Sequence, residues 1–347
     1  MKNIIKQAVK TNRLSYSELV QILKDESCND YLFKAADYVR KCRVGDEVHL
    51  RGLIEFTNIC AKNCMYCGIR RDNSFVERYA MTPEEIFETA KRAHSLGYKT
   101  VVLQSGETQT YSIETLCEII RKIKTLDIAV TLSIGEKNED EYRALKEAGA
   151  DRYLLRIETT SSRLYQSLHP EMSLMRRKAC LYFLKKIGFE VGTGDLIGLP
   201  NQKDEQIADD LLFFQELDAD MVGLGPFIPN SQTPLKDEVG GTFEKALKVM
   251  ALARILLPSA NIPATTAMET LNPNGRIIAL QSGANVVMPN VNDTSYRSKY
   301  QLYPGKICLD DGAEKCRKCI EGKITAIGRT IATSKGFRIK NGSVNQS

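Results

Sequence analysis

From His49 onward the chain repeats one local pattern, a helix that ends at a glycine and is followed at once by an apolar or β-branched run. Glycine is favoured there because the residue after a helix often adopts the left-handed conformation. The glycines concerned are Gly97, Gly149, Gly188 and Gly283. The runs predict eight strands, at residues 48–56, 100–104, 129–133, 152–157, 190–197, 221–225, 262–266 and 285–289. Strands that alternate with helices form parallel sheets with right-handed crossovers, so eight units predict a (β/α)8 TIM-type barrel of the α/β class.

Two further regions flank the predicted barrel. Residues 1–45 predict an N-terminal helical extension, because Ser15 and Glu18 form a capping box ahead of an apolar helical face. The barrel is expected to occupy residues 46–300. Residues 301–347 are expected to form a C-terminal segment that carries more cysteines and closes the barrel.

Composition argues against several classes of function. No apolar run reaches the roughly 18 residues that a membrane helix needs, and the first residues are polar and amphipathic rather than a signal peptide. Ten cysteines without such a signal predict a reducing compartment, so we expect a cytoplasmic protein. The net charge of +5 is spread along the chain and gives no indication of a nucleic-acid partner.

Three cysteines, Cys60, Cys64 and Cys67, are spaced C-x3-C-x2-C in the stretch RGLIEFTNICAKNCMYCGIRRDN. They follow the first predicted strand, so their loop is expected at the carboxyl end of the barrel, where barrel enzymes carry their chemistry. A [4Fe-4S] cluster needs four ligands, and three thiolates leave one iron open. Zinc is less favoured, because structural zinc takes four N or S ligands and catalytic zinc usually includes His or a carboxylate. Three metal-free core cysteines are also less favoured, because polar residues flank the motif.

Polar residues follow several predicted strands at the same end of the barrel. Taken singly, each is equally well explained as a strand-end cap or a surface group. Together they predict a polar pocket at the mouth that binds a ligand. They are Gln104, Ser105, Gly106, Glu107, Thr131, Ser133, Arg156, Glu158, Thr265, Thr266, Met288 and Asn290.

A second cysteine motif, C-x7-C-x2-C, lies near the end of the chain. Its members are Cys308, Cys316 and Cys319, called here the accessory cysteines. Three thiols again favour an iron–sulfur cluster over zinc, and three reduced, metal-free surface thiols remain the alternative. The other cysteines, Cys28, Cys42, Cys117 and Cys180, are predicted to be structural.

The C-x3-C-x2-C spacing, with Tyr66 before its last cysteine, resembles the signature of the radical S-adenosylmethionine (SAM) superfamily. Over nearly the whole length the chain also resembles the HydE family of [FeFe]-hydrogenase maturases, in VGDEVHLRGLIEFTNICAKNCMYCGIRRDN, VVLQSGE, GADRYLLRIET, DADMVGLGPFIP, RILLPSANIPATTAM, GANVVMPN and YQLYPGKIC. The resemblance implies a [4Fe-4S] cluster whose fourth iron is chelated by SAM. It further implies that an electron from the cluster cleaves SAM to a 5′-deoxyadenosyl radical.

The resemblance also implies which residues bind SAM. Ser105 to Glu107 would meet its amino group, Glu158 its ribose and Arg177 its carboxylate. The full implied set is Tyr66, Gln104, Ser105, Gly106, Glu107, Ser133, Glu158, Arg177, Gly198, Leu199 and Met221.

Below SAM, the resemblance implies a substrate cavity lined by Arg51, Thr131, Arg152, Arg156, Thr265, Thr266, Met288, Tyr300 and Tyr303. Arginines and hydroxyls suit an anionic ligand. In this family the substrate is understood to be a small iron complex that carries CO, cyanide and cysteine, used to build the diiron subcluster of the H-cluster. The family further implies a low-potential electron donor, the partner maturases HydG and HydF, and a second cluster, [2Fe-2S] or [4Fe-4S], on the accessory cysteines.

Two related enzymes and one different class of protein are the alternatives. Biotin synthase is disfavoured because the strands that would carry its additional cysteines have none here. Methylornithine synthase is disfavoured because it typically lacks the accessory cysteines and YQLYPGKIC. A non-catalytic iron–sulfur carrier would not need Glu158, Arg177 or a polar barrel interior.

Overall fold

The computed structural model describes residues 1–339. Its first 44 residues form α1 (Lys2–Thr11), α2 (Tyr16–Lys24), a 3-10 turn (Glu26–Cys28) and α3 (Asn29–Val44). The capping box predicted at the start of α2 is present, because Ser15 Oγ accepts from Glu18 N while Glu18 Oε2 accepts from Ser15 N at 2.8 Å. The N-terminal helices are therefore confirmed.

The remaining elements alternate as the sequence predicts. The strands are β1 (Glu47–Thr57), β2 (Thr100–Ser105), β3 (Ala129–Ser133), β4 (Arg152–Leu154), β5 (Glu190–Thr193), β6 (Leu196–Ile197), β7 (Met221–Val222), β8 (Gly225–Pro226), β9 (Val286–Val287) and β10 (Thr330–Ile331). The helices are α4 (Pro83–Ser95), α5 (Ile113–Lys124), α6 (Glu139–Glu147), α7 (Ser162–Leu168), α8 (Leu174–Lys186), α9 (Asp204–Glu216), α10 (Phe243–Leu256), α11 (Thr266–Leu271), α12 (Gly275–Leu280), α13 (Thr294–Arg297) and α14 (Ala313–Ala326).

The barrel sheet is parallel and runs in the order β1-β2-β3-β4-β5-β7, with β9 on the other side of β1. Between β7 and β9 lies residue stretch 261–263, which is joined to both neighbours by isolated bridges, Met221 to Asn261 and Pro263 to Val286. These bridges complete the circle of strands. The predicted α/β barrel fold is confirmed.

Four predicted strands, at 152–157, 190–197, 221–225 and 285–289, are shorter than expected, and the one at 262–266 is absent. Residues 262–266 form no strand, because proline at 263 has no N–H for a ladder and α11 already begins at Thr266. The strand predicted at 190–197 is divided into β5 and β6 at Gly194, whose φ is +147°. β6 then pairs with β8 in a separate two-stranded sheet, which likewise shortens the strand predicted at 221–225.

The end of the described chain lies across the amino-terminal end of the barrel. β10 pairs in parallel with the first residues of β1. Beyond β10, Lys335 O accepts a hydrogen bond from Arg152 Nη2 at 2.7 Å, and Gly336 O accepts from Asn261 Nδ2 at 3.0 Å. Access to the barrel interior is therefore from the carboxyl end. Within residues 1–339, no helix combines the length and the apolar character needed to cross a membrane.

Candidate active site

A cavity of about 380 Å³ extends from the carboxyl ends of the barrel strands into the barrel interior. Most of the predicted site residues line it together. They are Arg51, Cys60, Cys64, Tyr66, Cys67, Gln104, Ser105, Gly106, Glu107, Thr131, Ser133, Arg156, Glu158, Arg177, Met221, Thr265, Thr266, Met288, Tyr300 and Tyr303. Four predicted residues do not line it, namely Arg152, Gly198, Leu199 and Asn290, of which Asn290 donates to the lining residue Glu55.

The three cysteines lie on the cluster loop, residues 58–68, which follows β1. Two carbonyl groups hold the start of this loop, because Asn58 Nδ2 donates to Glu77 O at 2.8 Å and to Lys299 O at 2.7 Å. Its end is held by the hydrogen bond from Gly68 N to Leu302 O at 2.9 Å. The loop is therefore anchored at both ends by segments that are distant in sequence.

The three thiols are more widely spaced than the ligands of one tetrahedral zinc ion. Sulfurs bound to one tetrahedral zinc lie roughly 3.8 Å apart, given Zn–S bonds of about 2.3 Å. Among residues 1–339, one group of three potential ligand atoms lies within 4.8 Å of one another, and it does not include Cys60, Cys64 or Cys67. All three are partly buried and free of disulfides. Burial raises the pKa of the Cys64 thiol to about 12, with a smaller contribution from the neighbouring Cys60.

Glu107 is held in place by three contacts, two of which are to the cluster loop. Its side chain pairs with Lys62 at 3.0 Å and accepts from Glu136 N at 2.9 Å, while its carbonyl accepts from Ala61 N at 2.7 Å. Gly135 leaves room for the carboxylate, since a Cβ there would lie 2.4 Å from Glu107 Oε2. The strand-two motif is therefore packed directly against the cysteine-bearing loop.

Glu158 has an unusual backbone conformation, with φ of +64°. Its N–H donates to Gly194 O at 3.0 Å, and its carboxylate accepts from Leu196 N at 3.1 Å. The same carboxylate lies 3.0 Å from the guanidinium of Arg156. A non-glycine residue in this region is uncommon and marks a constrained site.

Arg177 reaches the cavity from α8, and its orientation is set by a residue that the sequence did not indicate. Its Nε donates to Glu136 Oε1 at 2.7 Å, and its Nη1 donates to the carbonyl of Arg156. Glu136 also pairs with Arg176 at 3.1 Å. No periodicity or motif predicted Glu136, which lies in the turn after β3.

Tyr66 is held by a buried histidine. Tyr66 Oη and His169 Nε2 lie 2.9 Å apart, and His169 Nδ1 lies 3.1 Å from Tyr165 O. Burial lowers the pKa of His169 to about 3, and the nearby Arg177 adds to this effect. A neutral ring with its proton on Nδ1 donates to Tyr165 O and accepts from Tyr66, which satisfies both nitrogens.

The part of this cavity lined by Arg51, Thr131, Arg156, Thr265 and Thr266 is called here the lower cavity. Several of its buried polar atoms have no protein partner. They are Arg51 Nε, Thr131 Oγ1, Arg156 Nε and Thr265 Oγ1. Buried polar groups normally have partners, so these atoms indicate a bound polar ligand. The two arginine nitrogens are hydrogen-bond donors, and the two threonine hydroxyls can both donate and accept.

The predicted residues that lie outside the cavity have clear physical reasons. Arg152 is the first residue of β4, so its side chain lies at the amino-terminal end, paired with Glu190 at 2.6 Å. Gly198 borders a second cavity of about 290 Å³. Leu199 is buried in a small apolar cluster with Leu164 and Phe227.

The sequence also missed a cavity-lining ion pair. Glu55 on β1 and Lys306 in the C-terminal segment lie 2.5 Å apart, and both line the cavity. A charged residue between Ile54 and Phe56, inside an apolar strand, was the available signal for Glu55. Lys306 offered none.

Two of the accessory cysteines come together. Cys308, Cys316 and Asp311 place their ligand atoms within 4.8 Å of one another, whereas Cys319 is exposed on α14 and is not part of this group. A hydrogen bond with the Cys308 thiol lowers the pKa of Cys316 to about 6, and Arg297 adds to this effect. The donor set, two thiols and a carboxylate, is one that binds a transition metal.

Comparisons with known proteins agree with this site. The profile of the Radical SAM superfamily matches residues 54–214. The "[FeFe] hydrogenase maturase subunit HydE" of Thermotoga maritima is 52% identical over 316 residues, which cover 91% of each chain. The 3-methylornithine synthase of Methanosarcina acetivorans is 29% identical over 280 residues, 79% of each chain. The crystal structure of a methylornithine synthase has a TM-score of 0.83 at 25% identity and covers 95% of this chain and 97% of that one.

The superfamily match contains the cluster loop, Glu158 and Arg177. The identity to HydE extends over nine-tenths of both chains. Radical SAM enzymes use a [4Fe-4S] cluster and SAM, which fits a cavity that joins three free thiols to buried polar donors. The chain therefore belongs to the HydE family of radical SAM enzymes.

Proposed function

We propose that this protein acts as a HydE-type maturase, in the assembly of the diiron subcluster of the [FeFe]-hydrogenase H-cluster. Cys60, Cys64 and Cys67 hold a [4Fe-4S] cluster, SAM binds beside it, and a small anionic iron complex binds in the lower cavity. One observation carries the proposal. A single cavity joins the three thiols to a buried interior in which the Nε atoms of two arginines and the hydroxyls of two threonines lack protein partners.

When bound, the cluster and SAM supply an electron and a 5′-deoxyadenosyl radical. The residues of the chain bind, orient and shield the reactants. Glu158 accepts from ribose hydroxyls, because its carboxylate is already fixed by Leu196 N. Arg177 uses one N–H for Glu136 and one for the carbonyl of Arg156, which leaves three donors for the SAM carboxylate.

The lower cavity supplies the donors for the substrate. Arg51 is the cavity cation for which residues 1–339 provide no carboxylate within ion-pair distance, and it is fully buried. Burial lowers its pKa, as does the neighbouring Arg152. An anionic ligand would relieve both effects, and this supports an anionic rather than a neutral substrate. The hydroxyls of Thr131 and Thr265 would donate to the same ligand.

Three further proposals concern the cellular context. The accessory group of Cys308, Asp311 and Cys316 is proposed to bind a second iron–sulfur cluster, with Cys319 one helical turn away as a further candidate ligand. HydG, HydF and a low-potential electron donor are proposed as partners. A cytoplasmic location is supported by ten cysteines, all within the described residues, that form no disulfide.

The proposed function is tested by measuring two activities on the same variants. One is deoxyadenosine release from SAM without substrate, and the other is hydrogenase activation with purified maturation components. Cys64→Ala is expected to abolish both, whereas Cys42→Ala, at an exposed helical cysteine, should change neither. Thr265→Val should retain SAM cleavage and weaken substrate binding about tenfold or more, because the substitution removes a buried hydrogen-bond donor without changing the side-chain volume.

Four outcomes would contradict parts of the proposal. SAM cleavage by Cys64→Ala would overturn the cluster assignment. Normal maturation by Thr265→Val would overturn the assignment of the lower cavity. Failure of the unmodified protein to mature any [FeFe]-hydrogenase would overturn the substrate proposal, and failure to cleave SAM would favour an iron–sulfur carrier.

A further inference from the structure

The buried ion pair between Glu55 and Lys306 is a cavity feature that the roles assigned above leave unused. The side chain of Glu55 is 2% exposed and that of Lys306 is 11% exposed. Lys306 Nζ donates to Glu55 Oε1 at 2.5 Å and to Tyr300 O at 3.2 Å. Because an ammonium group has three N–H donors, these two contacts leave one donor without a protein acceptor.

Lys306 lies on a part of the chain that forms one wall of the cavity. This wall segment, residues 298–306, lies against the cluster loop through the hydrogen bond from Gly68 N to Leu302 O. Its Tyr300 hydroxyl accepts from Gln104 Nε2 at 3.3 Å, across the cavity from β2. The Lys306 ammonium therefore lies inside the cavity, between β1 and the wall segment, and not at the protein surface.

Most other cations of the cavity are paired with carboxylates that contact the cluster loop or the SAM side of the cavity. These pairs are Lys62 with Glu107, Arg156 with Glu158, and Arg177 with Glu136. Glu55, like Glu107, has a second partner, because its other oxygen accepts from Asn290 Nδ2 at 2.6 Å. If Lys306 turned toward a ligand, the Glu55 carboxylate would keep its hydrogen bond from Asn290 and would still have a partner.

We propose that Lys306 binds the anionic part of the substrate through its free N–H, and that Glu55 is the counter-ion that sets the strength of this contact. The inference rests on the proposed function, in that it takes the cavity ligand to be an anion. The ligand class is a small anion with a nitrogen or oxygen acceptor. Lys306 is then a substrate-binding residue on the wall segment, in addition to the arginines of the barrel.

In this proposal, the pairing with Glu55 limits how tightly Lys306 binds an anion. An unpaired buried ammonium is strongly destabilised, so a lone lysine would bind an anion very tightly and release it slowly. A neighbouring carboxylate repels the ligand and takes up the ammonium when the ligand leaves. The pair therefore permits the substrate to bind and the product to depart without leaving a bare charge in the barrel.

Azide is a suitable probe, because it is a small linear anion with terminal nitrogen acceptors and an infrared band that reports its surroundings. Binding is measured on the cluster-loaded enzyme at saturating SAM, so that the open iron is occupied. Lys306→Gln is expected to weaken azide binding about ten- to hundredfold, and Lys306→Arg to change it less than about threefold. Glu55→Gln is expected to strengthen it about three- to tenfold, since a neutral amide no longer repels the anion.

Lys299→Gln is the matched control, because Lys299 lies on the same wall segment and pairs with the largely exposed Glu77 at 2.6 Å. It should leave azide binding unchanged. Lys306→Gln is expected to lower the affinity for azide and Glu55→Gln to raise it. If the two residues had a purely structural role, both variants would lower the affinity. Parallel weakening, an unchanged Lys306→Gln, or no azide binding by the unmodified enzyme would each overturn the inference.

The maturation assay separates this inference from the proposed function. Lys306→Gln should retain SAM cleavage and lose maturation. Normal maturation by that variant would overturn the inference and leave the proposed function standing. If the unmodified protein cannot mature a hydrogenase, the proposed function fails, and the azide measurements still decide whether Lys306 and Glu55 form an anion site.

Discussion

Replacing Gly106 with alanine should displace a cluster cysteine without removing any functional group. Gly106 follows β2 and lies against the cluster loop. A Cβ at this position would lie 2.3 Å from Ile59 O and 2.7 Å from Cys60 Cβ. Ordinary contacts begin near 3.4 Å, so the loop or the strand end must move by about 1 Å. The obstacle is backbone and the stem of a ligand residue, neither of which can rotate away.

The expected magnitude follows from how the loop is held. Because Asn58 and Gly68 anchor both ends of the loop, the displacement is concentrated at Cys60. Overpacking of this kind costs about 1–3 kcal/mol, which most domains of this size survive. A misplacement of about 1 Å in an active site lowers a rate by about 100-fold. We therefore expect a folded protein with less bound iron and SAM cleavage reduced by about two orders of magnitude.

The measurements are iron and sulfide content per chain, deoxyadenosine release and the thermal midpoint. Gly322→Ala is the control, because Gly322 lies within α14 with nothing within 4 Å of the added Cβ. It should stabilise the protein by about 0.5–1 kcal/mol and leave cleavage unchanged. Full iron loading and normal cleavage in Gly106→Ala would show that the loop yields freely, and the geometric reasoning would be wrong.

Two further predictions concern the buried histidines and the accessory cysteines. Burial lowers the pKa of His49 to about 4 and that of His169 to about 3, so below pH 6.5 the unfolded chain binds protons that the folded protein does not. Stability should fall by about 2 kcal/mol per histidine between pH 7 and pH 5, and His49→Gln or His169→Gln should reduce this slope in denaturant titrations. Replacing the three accessory cysteines with alanine should lower the iron content and leave SAM cleavage largely intact, because the group lies outside the cavity lining. If SAM cleavage were lost while the first cluster was still bound, the accessory site would have a catalytic role.

The barrel was predictable because its signals are local. The glycines after four of the helices, a capping box such as Thr82 with Glu85, and an apolar run can each be identified within about 15 residues, and the structure contains them. The strands that were predicted wrongly also have causes at single residues. Pro263 removed a strand that hydrophobicity alone predicted, and Gly194 divided another because the chain there passes within contact distance of Gly223.

The site was predicted where a motif or a resemblance named a residue, and missed where its role depends on a partner from elsewhere in the chain. Glu55 and Lys306 are 251 residues apart, so neither sequence context contains the other. Glu136 lies in the turn after β3, 41 residues from Arg177 on α8. Arg152 was misplaced for a related reason: its strand was predicted, but the cavity lies toward the other end of that strand.

Arg156 links the proposed SAM side of the cavity to the lower cavity, and this limits which variants can test the two parts separately. Its guanidinium lies 3.0 Å from Glu158, and its carbonyl accepts a hydrogen bond from Arg177. Its Nε has no protein partner and borders the lower cavity. Replacing Arg156 with alanine would remove a lower-cavity donor and also leave a buried Glu158 without its cation. Since breaking a buried pair is strongly destabilising, such a variant would perturb SAM as well as the substrate. Thr265, whose hydroxyl has no protein partner, is the cleaner position from which to test the lower cavity alone.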